Sequence, residues 1–171
     1  LEPALRRATS YQSNVVKKRT ASVSKQEAEG LPQVTVYTDG ACRGNPGPGG
    51  WAAIINDGDQ KRFIQGGDDN TTNNRMEISA ILEGLKVIPE GCSVTVFSDS
   101  IYVVNTMVKG WKRKKNLDLW SQLDSEVAKR TVIWKWVNAH AGNTLNEEAD
   151  FRARTCILYT SPSTRALSTY R

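Results

Sequence analysis

Two acidic residues each follow a short run of β-branched and aromatic residues, a pattern that could support metal chemistry. The segment VTVYT precedes Asp39, and VTVFS precedes Asp99. If both runs are neighbouring strands of one sheet, the two carboxylates lie side by side at one edge. Like charges at short range need a proton or a cation between them, and oxygen ligands suit Mg²⁺ or Mn²⁺. A plain hairpin with an aspartate at its glycine-rich turn is the alternative for Asp39.

The pattern of apolar residues predicts an α/β domain around these acids. We predict strands at about 34–39, 50–56, 60–67, 93–98 and 131–137, and helices at about 75–87, 100–108, 117–129 and 145–155. Residues 68–74 are expected to form a polar loop. Short turns make the first three strands antiparallel, and strands that follow helices should run parallel to the first. The predicted fold is a five-stranded mixed sheet flanked by helices.

The length, composition and net charge of the sequence fit one folded domain with tails. The 171 residues are 39% hydrophobic and carry a net charge of +5, which suits a polyanionic partner without requiring one. No apolar run approaches the roughly 18 residues of a membrane span, and no signal peptide is visible. Three scattered cysteines favour reduced thiols and a cytoplasmic location. We predict a flexible basic leader at 1–31, a folded domain at 32–155 and an irregular tail at 156–171 that looks like a cloning sequence.

Two further acidic residues are candidates for the same site. Glu77 opens a predicted helix among apolar neighbours and should lie at the edge of the face that packs on the sheet, and Asp150 lies in the last predicted helix. Acidic residues near a helix N-terminus are also favoured by the helix dipole alone. We keep that simpler interpretation for Glu147 and Glu148.

Four motifs, in order and at sensible spacing, then identify a family. They are TDGACRGNPGPGGWA, TTNNRMEISA, FSDSIYVV and WVNAHAGNTLNEEAD. Together they closely resemble type 1 ribonuclease H, over about Gln33 to Arg154. The resemblance implies a ribonuclease H fold and an endonuclease that hydrolyses the RNA strand of RNA–DNA hybrids, leaving 5′-phosphate and 3′-hydroxyl ends. The domain at 32–155 would be the catalytic domain.

The resemblance also implies a set of catalytic and metal-binding residues. It implies a four-carboxylate site of Asp39, Glu77, Asp99 and Asp150, which holds two Mg²⁺ ions, with Mn²⁺ as a substitute. Asp39 would bridge both ions. His140 matches the histidine of a mobile loop that assists turnover or product release.

Contacts to the hybrid are implied by the same resemblance. The positions that match are Gly40, Cys42, Gly44, Asn45, Thr72, Asn73, Asn74, Trp111, Lys112 and Lys114. The residues of the glycine turn and the asparagine pair would follow the minor groove, where the 2′-hydroxyl distinguishes RNA from DNA. Thr72 and Asn45 resemble a pocket for a DNA phosphate, and the WKRKK run should contact the DNA strand. A polar helix cap and a solvated charge run are the simpler alternatives.

The sequence departs from many members of this family at two places. Ile101 stands where many relatives have a glutamine that contacts the hybrid, and the basic protrusion after Trp111 is short. The short protrusion predicts weaker substrate affinity. A ribonuclease H domain of a reverse transcriptase, a non-catalytic hybrid-binding module and a DNA nuclease on the same fold remain the alternatives. We expect a monomer that binds no membrane.

Overall fold

A computed structural model describes residues 29–139 and 141–159 of the chain. His140, almost all of the predicted leader and residues 160–171 of the predicted tail lie outside the described residues. Within the described part, no helix has the length and apolar character needed to cross a membrane.

The described residues form five strands and four helices. In order they are β1 (Gln33–Cys42), β2 (Gly47–Asn56), β3 (Lys61–Thr71), α1 (Asn73–Lys86), β4 (Ser93–Ser98), α2 (Ile101–Lys109), α3 (Leu117–Ala128), β5 (Thr131–Trp136) and α4 (Thr144–Tyr159). The strands form one sheet in the order β3-β2-β1-β4-β5. β1 and β2 are antiparallel, as are β2 and β3, whereas β4 is parallel to both β1 and β5. The predicted five-stranded mixed sheet is confirmed.

The alternation of side chains along β1 divides the molecule into two layers. Val34 and Val36 face the main core, where Val36 and Ala53 pack against Gly84 of α1. Because residues one apart on a strand face opposite sides, Tyr37 lies on the second face, where it stacks on Phe97 with ring centroids 4.4 Å apart. The helix α4 packs on β1, β2 and β3. The two faces of β1 therefore bring different helices to the same strand.

Four predicted boundaries are wrong: β1 continues to Cys42, β2 begins at Gly47, β3 continues to Thr71 and the last helix continues to Tyr159. Packing explains the last two. Residues 68–71 extend β3 instead of forming a loop, and Asp68 pairs with Gly49 of β2. β3 is the edge strand, and an edge strand exposes one side to water. Polar residues are therefore tolerated there, and backbone pairing with β2 keeps this segment in the sheet. The last helix continues four residues past the predicted end at Thr155, because Cys156 is buried beside Gly50. The Ser/Thr-rich composition that follows concealed this contact.

Candidate active site

Three carboxylates meet at one edge of the sheet. β1 and β4 are adjacent and parallel, with Thr38 opposite Ser98, so Asp39 and Asp99 follow paired positions. Glu77 reaches the same point from the first turns of α1. Ligand atoms of these three acids all lie within 4.8 Å of one another. The strand register thus places together two residues that are far apart in the sequence.

The start of α1 is held against β1 by a glycine and by a helix cap. A Cβ at Gly40 would run into the backbone nitrogen of Glu77 and lie 2.5 Å from the carbonyl carbon of Met76. The side chain of Thr72 accepts a hydrogen bond from the Arg75 N–H at 3.3 Å and caps the helix. Glu77 is consequently 4% exposed. It lies deeper than the edge position that its helical spacing predicted.

Burial, together with the charges of neighbouring acids, perturbs the ionisation of Asp39 and Glu77. Burial, followed by the charge of Asp99 and the nearby carboxylate of Asp150, raises the pKa of Asp39 from 3.8 to about 8. Burial first, and then the charges of Asp39 and Asp99, raises the pKa of Glu77 well above its usual value of 4.5. Negative charge concentrated in this way disfavours the fully ionised cluster unless a cation offsets it.

The chemistry of the three acids fits a hard divalent cation. Carboxylate oxygens are the ligands that Mg²⁺ and Mn²⁺ prefer. The Oε2 atom of Glu77 is buried and has no hydrogen-bond partner among the described residues. An unpartnered buried carboxylate oxygen is costly, and coordination to a cation would satisfy it.

Asp150, the fourth predicted acid, approaches the trio from the other face of the sheet. It lies near enough to Asp39 to raise the pKa of that acid, and one of its oxygens accepts a hydrogen bond from Arg154 Nε at 2.9 Å. Its helix α4 sits close to β2 because a Cβ at Gly50 would collide with the carbonyl oxygen of Ala153. Asp150 borders the site and does not belong to the group whose ligand atoms converge within 4.8 Å.

The acids line a cleft of about 800 Å³. Its other lining residues are Gly40, Ala41, Cys42, Arg43, Asn73, Ser100, Phe151, Arg154, Thr155 and Ile157. The sequence did not predict that Arg43 and Arg154 line the cleft, and only Arg154 lies in a sequence pattern that could have indicated it. Arg154 follows Asp150 by four residues, a spacing that puts both side chains on one side of a helix. Arg43 lies in the glycine turn, where helical or strand periodicity carries no information.

The predicted substrate-binding residues divide into two groups. Gly40, Cys42 and Asn73 line the cleft, and the Oδ1 of Asn45 accepts a hydrogen bond from the Asn73 N–H at 3.3 Å. Thr72 serves as the helix cap, while Gly44 and Asn74 are exposed residues that do not line the cleft.

The basic run after α2 is partly anchored and partly exposed. Trp111 is 45% exposed, and Lys112 and Lys114 are exposed as well, away from the cleft lining. Arg113 instead donates to both oxygens of Asp124, with 3.0 Å from Nη2 to Oδ1, and its guanidinium lies 4.9 Å from the centre of the Trp120 ring. Lys112 and Lys114 therefore lie on either side of Arg113, whose side chain is bound to α3.

The mixed sheet and its buried acidic edge define the ribonuclease H-like class of folds, and comparison with known proteins identifies the family. The family model for RNase H matches residues 32–157. Ribonuclease H of Wolbachia sp. subsp. Drosophila simulans (strain wRi) is 45% identical over 139 residues, which cover 74% of this chain and 96% of the relative. The chain belongs to the ribonuclease H family of hydrolases.

Two solved structures show the same fold. LC9-RNase H1, described as a type 1 RNase H with the type 2 active-site motif, has a TM-score of 0.69 and 30% sequence identity, covering 82% of this chain and 77% of that one. LC11-RNase H1, solved in complex with an RNA/DNA hybrid, has a TM-score of 0.58 and 23% identity, covering 72% of this chain and 96% of that one. The second likeness concerns the fold alone.

Proposed function

We propose that this chain is an endonuclease that hydrolyses the RNA strand of RNA–DNA hybrids. The observation that carries the proposal is the convergence of Asp39, Glu77 and Asp99 in a cleft, at one edge of a ribonuclease H sheet. Relatives named Ribonuclease H and the hybrid bound to LC11-RNase H1 support the choice of substrate.

The four acids are proposed to hold two divalent cations, Mg²⁺ with Mn²⁺ as a substitute. Asp39 would be the central ligand of this site, since Asp99, Asp150 and Glu77 all influence its ionisation. Such ions supply an activated water and neutralise charge that develops on the phosphate, giving 5′-phosphate and 3′-hydroxyl products. The protein keeps Glu77 buried and aimed at the site, and Arg154 holds Asp150 at its margin. We further propose that His140 assists turnover.

Selection of the hybrid is assigned to the groups around the glycine turn. Gly40, Cys42 and Asn73 line the cleft next to the acids, where backbone and amide groups could meet a 2′-hydroxyl. The exposed Trp111, Lys112 and Lys114 are proposed to bind the phosphates of the DNA strand. The other residues proposed to bind the hybrid lie in the glycine turn or next to Asn73, and they are Gly44, Asn45, Thr72 and Asn74. Their effect should be on affinity more than on the chemical step.

The proposed setting is a monomer in the cytoplasm, with residues 32–155 and the end of α4 as the catalytic domain. Cys42 and Cys92 are free thiols, which suits a reducing compartment. Sedimentation of the purified chain tests the monomer, and a tagged chain in its own cell tests the location.

Cleavage assays on matched substrates test the proposed function. The wild-type protein with Mg²⁺ should cut a labelled RNA–DNA hybrid and leave duplex RNA and duplex DNA of the same sequence intact. Glu77→Gln should abolish cleavage, while Glu147→Gln, which changes an exposed acid on α4, should leave it unchanged. Hybrid binding without cleavage would indicate a binding module, and cleavage of duplex DNA would indicate a DNA nuclease.

A further inference from the structure

Asp99 occupies the junction between a strand and a helix, so its backbone needs support from neighbouring elements. β4 ends at Ser98, and α2 begins at Ile101 with Ser100 as its cap. The carbonyl of Ser98 accepts a hydrogen bond from the Val137 N–H at 3.0 Å, and the Ser98 hydroxyl accepts one from the Ser100 N–H at 3.1 Å. These bonds fix the residues on either side of Asp99.

The carbonyl of Asp99 itself is held by a tryptophan side chain. Trp136, the last residue of β5, pairs with Ser98 across the sheet, and its indole Nε1 donates to the Asp99 carbonyl oxygen at 3.1 Å. Trp136 as a whole is 48% exposed, whereas Trp134 of the same strand packs against the main core. A large aromatic residue that stays half exposed gains little from burial, so its hydrogen bond is the more telling contact.

We infer that Trp136 is a positioning residue for Asp99: its indole N–H fixes the backbone from which the Asp99 carboxylate reaches the metal site. The inference rests on the proposed function, because it takes Asp99 as a ligand of the divalent cations. Groups that orient a metal ligand through hydrogen bonds commonly affect metal affinity without touching the metal. Trp136 therefore tunes how well the site binds Mg²⁺ and has no direct part in holding the hybrid.

The substitution Trp136→Phe tests this role because it keeps an aromatic ring and removes the N–H donor, while the accompanying loss of ring size is matched by the control variant Trp134→Phe. The loss of one hydrogen bond predicts that the Mg²⁺ concentration for half-maximal effect rises about threefold to tenfold. Two readouts should agree: the rise in melting temperature of the substrate-free protein as Mg²⁺ is added, and the Mg²⁺ dependence of hybrid cleavage. The KM for the hybrid at saturating Mg²⁺ should not change, and excess Mg²⁺ should restore kcat.

Trp134→Phe is the matched control, since it makes the same chemical change two residues earlier on β5. It should leave the Mg²⁺ midpoint unchanged even if it lowers the melting temperature in EDTA. An unchanged Mg²⁺ midpoint in Trp136→Phe, or an equal rise of that midpoint in both variants, would overturn the inference. A wild-type melting temperature that does not change when Mg²⁺ is added would also overturn it. If the wild-type protein responds to Mg²⁺ but does not cleave the hybrid, the proposed function fails while the thermal midpoints still decide the role of Trp136.

Discussion

The substitution Asp39→Asn should stabilise the metal-free protein at neutral pH, although it should destroy activity. Asp39 has an ordinary pKa of 3.8 when unfolded and a pKa of about 8 in the folded chain, raised by burial and then by neighbouring acids. At any pH between these two pKa values, Asp39 is therefore protonated in the folded state and ionised in the unfolded state. The contribution of Asp39 to stability must therefore fall as the pH rises from about 4 to about 8 and then level off.

The size of the effect follows from the same two values. At pH 7 Asp39 is ionised in the unfolded state and mostly protonated in the folded state. Because pH 7 lies about three units above the unfolded pKa, this difference in protonation lowers the free energy of unfolding by about 4 kcal/mol, at 1.36 kcal/mol per unit. At pH 4 the difference shrinks to under about 1 kcal/mol. Asparagine carries no charge in either state, so it removes this cost and keeps a side chain of similar shape.

Urea unfolding in EDTA at several pH values measures this prediction. Asp39→Asn should exceed the wild type in unfolding free energy at pH 7, and the gap should close towards pH 4. Asp59→Asn, which changes an exposed acid in the turn between β2 and β3, should follow the wild type at every pH. Added Mg²⁺ should stabilise the wild type more than Asp39→Asn. Equal stabilities at pH 7 in EDTA, or a gap that does not depend on pH, would refute the reasoning.

Three other substitutions test the parts of the structure that serve the site. Lys112→Ala with Lys114→Ala should weaken hybrid binding and lower the slope of log affinity against log salt by about one for each phosphate that the variant no longer binds, with kcat unchanged. Gly50→Ala should cost about 1–3 kcal/mol of stability, measured by urea unfolding, because its Cβ meets the α4 backbone, whereas Gly30→Ala has open space and should cost little. Arg113→Ala should lower stability by about 1 kcal/mol in the same unfolding assay and raise the KM for the hybrid, because the exposed lysines would lose their anchor.

Much of the fold could be predicted from the sequence because its signals are local. The runs before Asp39 and Asp99 have the alternation and β-branched residues of strands, and helix ends at Ser100 and Gly110 carry their usual caps. The end of β3 and the end of α4 could not be predicted in this way. Both depend on pairing or burial against Gly49 and Gly50, which local composition does not reveal.

The residues of the candidate site differ in the sequence evidence that predicted them. The strand pattern alone brought Asp39 and Asp99 together, while Glu77 and Asp150 needed the family motifs. The burial of Glu77 depends on the missing side chain of Gly40, and this contact exists only after β1 and α1 have packed. The indole bond from Trp136 to the Asp99 backbone is equally a product of the tertiary structure.

The catalytic role of the acidic cluster is tested most directly by the rate of hybrid cleavage by the wild type and by Asp39→Asn as Mg²⁺ is varied, with Asp59→Asn as the matched control. If the acidic cluster binds the catalytic cations, cleavage should be absent in EDTA, should rise with Mg²⁺ for the wild type and the control, and should not recover in Asp39→Asn at any Mg²⁺ concentration. Cleavage by Asp39→Asn at the wild-type rate, or wild-type cleavage that persists without divalent cations, would contradict the assignment of the acidic cluster as the catalytic centre.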